Sequence, residues 1–381
     1  MKTKISNPAL TLLALLFGFN VWADELTHPA VLDPLSFVSN WQVQVDEGKA
    51  DISLDELKQQ LPNYRVIHVG EIHPNFEDHL VQLAMLQSLH QQHRKVAIGV
   101  EWFQAAFQPW LDAYIFGQLS EADLLHHTEY FQRWRFDYRL LQPIIHYAKR
   151  HQIPVLALNA PNELTRQVST LGRDSLSLIQ RQAIPSIHPP GVEQHQRLTR
   201  FFSDKIPPSR NLEDFIYAQR IWDETMAANA VRFLQQHPEH KLLVFAGNFH
   251  IGHFEAIPKD IARQLPELQN QQLTISGGSF ENYRENFVDR WVYTDTISLP
   301  EHGKLGASFN GKSACIQDLS DDAAAIKAGL KKDDCICALN QQTIQHYADL
   351  ILALYRTQPN QAVSLKIQRG EHIIELDITL D

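Results

Sequence analysis

The sequence predicts an α/β protein: a parallel-dominated sheet flanked by helices, followed by a small domain of mixed strands and two helices. Three observations predict it. Four short, almost wholly apolar runs (Val66 to Val69, Val96 to Val100, Val155 to Leu158 and Leu242 to Ala246) have the length and β-branched content of buried parallel strands. Amphipathic helical patterns fall between them, and alternation of strand and helix marks a layered α/β fold. Beyond a linker at Ser298 to His302, the pattern changes to short strands and turns.

The chain opens on Lys2 and Lys4, an apolar stretch from Leu10 to Phe19, and Val21-Trp22-Ala23. These read as the n-region, h-region and cleavage site of a signal peptide over residues 1–23. The rival reading is an uncleaved anchor, but the apolar stretch is short for a membrane span. No cysteine sits near the cleavage site, which argues against lipidation and for a periplasmic or secreted product. The first domain is expected over residues 24–297.

Ser53 to Gln60 reads as a short helix ahead of the first strand. Asp78 is expected to cap a helix reaching about His93, with Leu80, Leu83, Leu86 and Leu89 on its apolar face. Pro109 opens a helix carrying Trp110, Leu111 and Tyr114, and Ser120 caps the next. Asp137 to His151 is amphipathic, and Asn162 is expected to cap a helix ending near Gly172. The Pro-, His- and Gln-rich segment from Arg181 to Pro208 reads as a lid or irregular insertion. A long helix from Leu212 to Gln236 precedes the strand at Leu242, and runs at Leu273 to Ser276 and Trp291 to Thr296 complete the sheet.

The 381 residues are 44% hydrophobic and 20% charged, which suits a globular chain of two domains. A formal charge of −10 argues against a nucleic-acid partner. Cys315, Cys335 and Cys337 are the only cysteines. Their odd number excludes a disulfide scaffold; Cys335 and Cys337 are badly spaced for a bridge, while Cys315 is free to pair with either or with neither.

Chemistry concentrates at the strand ends. Gly70-Glu71-Ile72-His73 and Gly247-Asn248-Phe249-His250 each follow an apolar run, a third run ends in Glu101 and a fourth in Asn159. Ligands of open parallel sheets sit beyond the carboxyl ends of the strands, so both imidazoles are expected at one rim. Glu71 and His73 point to one side of an extended segment, and His79 lies one turn into the next helix. Glu71, His73, His79 and His250 form a candidate metal set for zinc, manganese or iron. With Glu101, residues Glu71, His73 and His250 form a candidate catalytic set, Glu71 acting as general base toward a metal-bound water. The plainer reading is a hydrogen-bonded network closing the polar end of the sheet.

The last eighty or so residues carry Ala325-x-x-Ala328-Gly329-Leu330-x-x-x-Asp334 and the turn Arg369-Gly370. This pattern over residues 303–381 resembles a bacterial PDZ domain. The resemblance implies binding of an extended peptide or a protein C-terminus by strand addition, its carboxylate held by the loop Leu305, Gly306 and Ala307.

A second resemblance rests on several phrases: Val69-Gly-Glu-Ile-His73-Pro with His79 and Gln82, Glu101-Trp-Phe-Gln, Trp134-x-Phe-Asp-Tyr138-Arg, Asn159-Ala-Pro, Asp223-x-x-Met226-Ala and Gly247-x-x-His250. Together they resemble the ChaN-type haem-binding uptake family, which is related to the Tiki/TraB and erythromycin esterase proteins. The resemblance implies a homodimer enclosing haem held by tyrosinate, serving iron acquisition alongside an outer-membrane haem receptor. Tyr138, beside Arg135 and Arg139, is the first candidate ligand, with Tyr130 and then Tyr217 behind it. Trp134 and Phe136 are candidate porphyrin contacts, His126 and His127 candidate assisting donors, and Arg133, Arg166 and Arg173 candidate propionate partners. The alternative implied by the wider group is a metal-dependent hydrolase using the Glu/His set.

Overall fold

The computed structural model describes residues 41–45, 51–207 and 209–381. The expected signal peptide lies outside the described residues. Strands β1 (Gln42–Val45) and β2 (Ile52–Ser53) lead into α1 (Leu54–Gln60), β3 (Val66–Glu71), α2 (Phe76–Gln92) and β4 (Val96–Gln104). Four helices follow: α3 (Gln108–Ile115), α4 (Glu121–His127), α5 (Tyr130–Arg133) and α6 (Gln142–His151). Then come β5 (Val155–Asn159), α7 (Asn162–Leu171), α8 (Leu178–Ala183), α9 (Val192–Phe202) and α10 (Leu212–Gln236). Strand β6 (Lys241–Gly247), α11 (Ala256–Gln264), β7 (Gln272–Gly278) and β8 (Arg290–Tyr293) complete the first unit.

The eight strands form one sheet in the order β2-β1-β8-β7-β3-β6-β4-β5. The six from β8 to β5 are parallel; β1 runs against them, and β2, antiparallel to β1, runs with them again. Helices cover both faces. Leu80, Leu83 and Met85 of α2 pack with Ile144 and Ile145 of α6 in one apolar core. Met226, Ala230 and Val231 of α10 and Ile257 and Ile261 of α11 form another with Val244 and Ala246. All the parallel strands therefore end at one edge, and the register sets Glu71 beside Gly247. The β4–β5 register shifts between Val100 and Gln104, so Glu101 and Trp102 lie in an irregular stretch whose side chains are re-aimed.

Local chemistry explains most boundaries. Ser53 forms a capping box with Glu56, and Ser120 caps α4 through the Asp123 amide. Asp78 does not cap α2 as expected. The helix starts earlier, at Phe76, and Asp78 is buried, accepting the Ile72 N–H at 2.7 Å. Asn162 is the first residue of α7 rather than its cap. The segment around Arg181 to Pro208 is not wholly irregular: it holds the end of α8 and all of α9.

The C-terminal unit contains β9 (Ala307–Phe309), β10 (Ile316–Leu319), α12 (Ala324–Lys327), β11 (Cys335–Leu339), β12 (Gln342–Thr343), α13 (Tyr347–Leu354), β13 (Ala362–Arg369) and β14 (His372–Thr379). Strands β9 and β10 pair with each other, and β11 to β14 form an antiparallel sheet in the order β12-β11-β13-β14. A disulfide joins Cys315 to Cys335, and Cys337 is free.

The two units pack closely. Ala348 and Leu352 of α13 belong to the first unit's apolar core, the ring of His126 stacks on His346 at 3.6 Å, and Lys312 pairs with Glu129 at 3.3 Å. Among the described residues, no helix is long and apolar enough to cross a membrane.

Candidate functional site

At the carboxyl edge of the sheet lies a cavity of about 1240 Å³. His73 and His250 both line it, together with Glu71, Glu101, Asn159 and Gly247. The strand ends therefore converge as their sequence pattern predicts. Gly247 is required by close approach: a Cβ there would stand 2.7 Å from His73 Cε1 and 3.5 Å from Glu101 Oε2.

Glu71 is the hub. Its carboxylate accepts from His73 Nδ1 at 2.8 Å, Gln82 Nε2 at 3.0 Å and Trp102 Nε1 at 3.2 Å, and pairs with His79 Nδ1 at 2.9 Å. Burial works against its charge, but His79 and His73 outweigh burial and hold the carboxyl far below its usual range. A carboxylate with four donors has its lone pairs committed. Both nitrogens of His79 are committed too, Nδ1 at Glu71 and Nε2 to the His73 carbonyl at 3.0 Å. In this arrangement His79 braces the site, and it is not among the three residues whose ligand atoms converge. Burial opposes its protonation, but the Glu71 charge prevails and lifts it to about 9.

His73 is positioned differently. Glu71 fixes the proton on Nδ1, which leaves Nε2 as the outward-acting nitrogen. The ring meets Trp134 edge-on at 4.8 Å and Phe136 at 5.1 Å. Against burial, the Glu71 hydrogen bond and the Glu101 charge raise its pKa.

His250 completes a second chain of contacts. Its Nδ1 donates to Asp223 at 2.6 Å, and its Nε2 lies 3.5 Å from Glu101. Arg220 donates to the other Asp223 oxygen at 3.0 Å, and Glu101 accepts the Gly247 N–H at 2.7 Å. Burial is again overcome, here by Glu101 and Asp223, and the imidazole is pushed up to about 10. Asp223 was not assigned a role from the sequence. Its signal in the sequence is its place in the phrase Asp223-x-x-Met226-Ala, on a buried helical face. Glu71, His73 and Glu101 each bring one ligand atom within 4.8 Å of the others, so a metal ion fits by distance.

The predicted haem ligands fall elsewhere. Tyr138 is fully buried and donates its hydroxyl to Glu121 at 3.0 Å. Tyr130 is also in the core, against Phe103 and Tyr138. Burial, the main cause, drives both phenols well above their ordinary pKa, the opposite of what a tyrosinate needs. No tyrosine lines the cavity among the described residues, and the structure brings neither Tyr138 nor Tyr130 to the sheet edge. Arg139 is not a cavity residue either. It clamps Asp137, lies over the Tyr355 ring at 4.7 Å and donates to the Pro300 carbonyl, fastening the two units together. Arg173 pairs with Asp214 and covers Tyr217, and His127 stacks on Trp110. Trp134, Phe136, Arg133 and Arg166 do line the cavity.

The walls suit a large, flat, anionic molecule. Trp134, Phe136, Phe201, Trp222, Phe249 and Phe287 supply aromatic faces, and Arg133, Arg135, Arg166, Arg210 and Arg284 supply cations. Two buried donors on the lining, Gln104 Nε2 and Trp291 Nε1, have no hydrogen-bond partner. Buried donors left unpaired call for an acceptor from a ligand or solvent.

In the C-terminal unit, the carbonyls of Leu305 and Gly306 accept from Ala325 N–H and Ser320 N–H, each at 2.9 Å. Gly306 has φ +68, and a Cβ there would stand 2.2 Å from Ala323 Cβ, so this loop requires glycine. Ala307 begins β9, whose described pairing is with β10 alone.

Residues 57–261 match the family described as haem-binding uptake, Tiki superfamily, ChaN, and residues 303–380 match the PDZ domain. Among solved structures, the chain is similar to the one describing cofacial haem binding to ChaN of Campylobacter jejuni. The TM-score is 0.53 with 16% identity, over 68% of this chain and 98% of that one. An erythromycin esterase, EreC, in its open conformation gives a TM-score of 0.38 with 14% identity, over 78% and 89% of the two chains. A serine endoprotease from Yersinia pestis gives 0.19 with 19% identity, over 21% and 28%. No curated protein matches the chain.

Proposed function

Because this chain belongs to the ChaN family of haem-binding uptake proteins in the Tiki superfamily, we propose that its sheet-edge cavity binds haem with His73, rather than a tyrosine, as the iron ligand. The observation that carries this reading is the Glu71–His73 pair inside an aromatic, arginine-rimmed cavity of about 1240 Å³. Glu71 orients the imidazole and makes it a better donor through Nδ1, leaving Nε2 to ligate. Trp134 and Phe136 flank that imidazole and offer apolar surface to a porphyrin. Arg133 and Arg166, with the Gln104 amide, suit the propionates. Haem, when bound, supplies a redox-active iron and an intense visible chromophore.

The physiological setting extends the same reading. The protein is exported, acts in iron acquisition with an outer-membrane haem receptor, and works as a homodimer. Its PDZ domain takes the C-terminus of a peptide or protein partner through the Leu305, Gly306 and Ala307 loop. Titration of purified protein with haemin tests the central point. A saturable Soret change at one haem per chain is expected, and its absence removes the reading.

A second reading is favoured by one observation, the approach of Glu71, His73 and Glu101 ligand atoms to within 4.8 Å. It is a hydrolase using zinc, manganese or iron, with His250 and Glu101 handling protons across the site. Near-stoichiometric metal after mild purification, lost in His73→Ala, would select it. The four donors already on Glu71 weigh against that carboxylate as a metal ligand.

A further inference from the structure

A second, smaller pocket of about 260 Å³ lies where the two units meet. Phe309 of β9 and Tyr347 of α13 supply one side, their rings 5.3 Å apart. These residues stand on the two walls between which a PDZ groove runs. Phe131, Gln132 and Arg135 of the first unit supply the other side. Phe131 meets Tyr347 edge-on at 5.3 Å, and Gln132 donates to the Asn310 carbonyl at 3.3 Å. The first unit therefore adds a wall to the groove's outer end.

Charge decides what that end accepts. Arg135 is exposed, its Nε donates to the Gln132 carbonyl, and no carboxylate pairs with it among the described residues. Its backbone has a positive φ of 71, unusual for arginine. Lys312 and Arg133 stand nearby, and both are bound to Glu129. The local balance is cationic although the whole chain is anionic. An extended peptide pairing with β9 rises about 3.3 Å per residue, so its residue opposite Phe309 lies about two positions before its end.

We infer that the PDZ groove is a composite site, completed by Phe131, Gln132 and Arg135, that selects a C-terminal peptide carrying an acidic side chain at this level. The inference rests on the reading that the PDZ domain binds peptide. The acidic side chain pairs with the Arg135 guanidinium while Phe131 and Tyr347 cover its stem. Isolated PDZ folds have no such wall, so the selectivity belongs to the full chain.

The test is fluorescence anisotropy of the full chain with labelled C-terminal peptides. They differ only in bearing Glu, Gln or Lys at the third or fourth residue from the end. The wild type is expected to bind the Glu peptides about tenfold more tightly than the Gln peptides. Arg135→Glu should abolish that preference and favour Lys, and Phe131→Ala should weaken all three. Circular dichroism of each variant shows that it is folded. Equal affinity for the three peptides, or a Glu preference unchanged in Arg135→Glu, overturns the inference while leaving peptide binding intact. Failure of every peptide to bind removes the reading beneath it as well.

Discussion

Tyr138 gives its hydroxyl to Glu121 at 3.0 Å, inside the core and away from the cavity. The same carboxylate also receives His146 at 2.5 Å and Gln142 at 3.1 Å. Tyr138 is thus a structural residue that joins three helical segments. Tyr138→Phe should cost about 1.5–3 kcal/mol of stability, the range for a hydrogen bond to a charged group. Its haemin titration should match the wild type. Loss of haem binding in a folded Tyr138→Phe protein would restore the tyrosinate proposal.

Gly247 gives a sharper steric test. A methyl group there would meet His73 Cε1 at 2.7 Å, with Trp134 and Phe136 packed against the same ring. Gly247→Ala should move the imidazole and lower haemin affinity by about tenfold or more, equivalent to about 1.4 kcal/mol. The far-ultraviolet circular dichroism should be unchanged. Unaltered affinity would mean that His73 Nε2 is not where the ligand is held.

The buried imidazoles make stability depend on pH. Burial opposes the charge of His79 and His250, but their carboxylate partners prevail and raise them from 6.5 to about 9 and about 10. Groups raised on folding stabilise fully below pH 6.5, and that contribution fades as pH climbs through the folded values. Asp78, pushed by burial from 3.8 to about 8, acts in the same direction, but its contribution is full only below pH 3.8 and fades up to about pH 8. Glu101 is held below 4.5 by His250 despite burial, so its contribution is lost as pH falls below that value. Thermal melts should therefore show Tm declining between pH 6.5 and 10 and again in acid. His250→Asn should flatten the alkaline limb. A Tm that rises across that range would contradict the ion pairing.

The Cys315–Cys335 disulfide closes a loop of sequence separation 20 within the PDZ domain. Closing a loop of that size is worth about 3 kcal/mol in the unfolded-chain entropy model. Reduction, or Cys315→Ser, should lower the melting temperature of the PDZ transition. Cys337→Ser should leave it unchanged, because that thiol is free. Equal melting with and without reductant would show that the bridge adds nothing.

The strand ends were readable because each apolar run stops at a polar residue, and parallel topology then carries Glu71, His73 and His250 to one edge. Both the sheet and the PDZ order follow from local pattern. What sequence did not disclose depends on packing between distant segments. Asp223 meets His250 from 27 residues away, and nothing local marks that meeting. Tyr138 has flanking arginines that suggest an activated phenolate, yet the turn after Asp137 sends its ring inward to Glu121. Arg139 likewise looks like a ligand-binding cation but spends its guanidinium on Asp137, Tyr355 and Pro300. The joint between the two units was equally invisible, because Phe131 and Tyr347 are more than two hundred residues apart in the chain.

The most direct test of the central claim is chemical rescue of His73→Gly. The account predicts that this variant loses the wild-type Soret spectrum and regains it when free imidazole is added, while Tyr138→Phe needs no rescue. A His73→Gly protein that binds haemin with the wild-type spectrum in the absence of imidazole would contradict it.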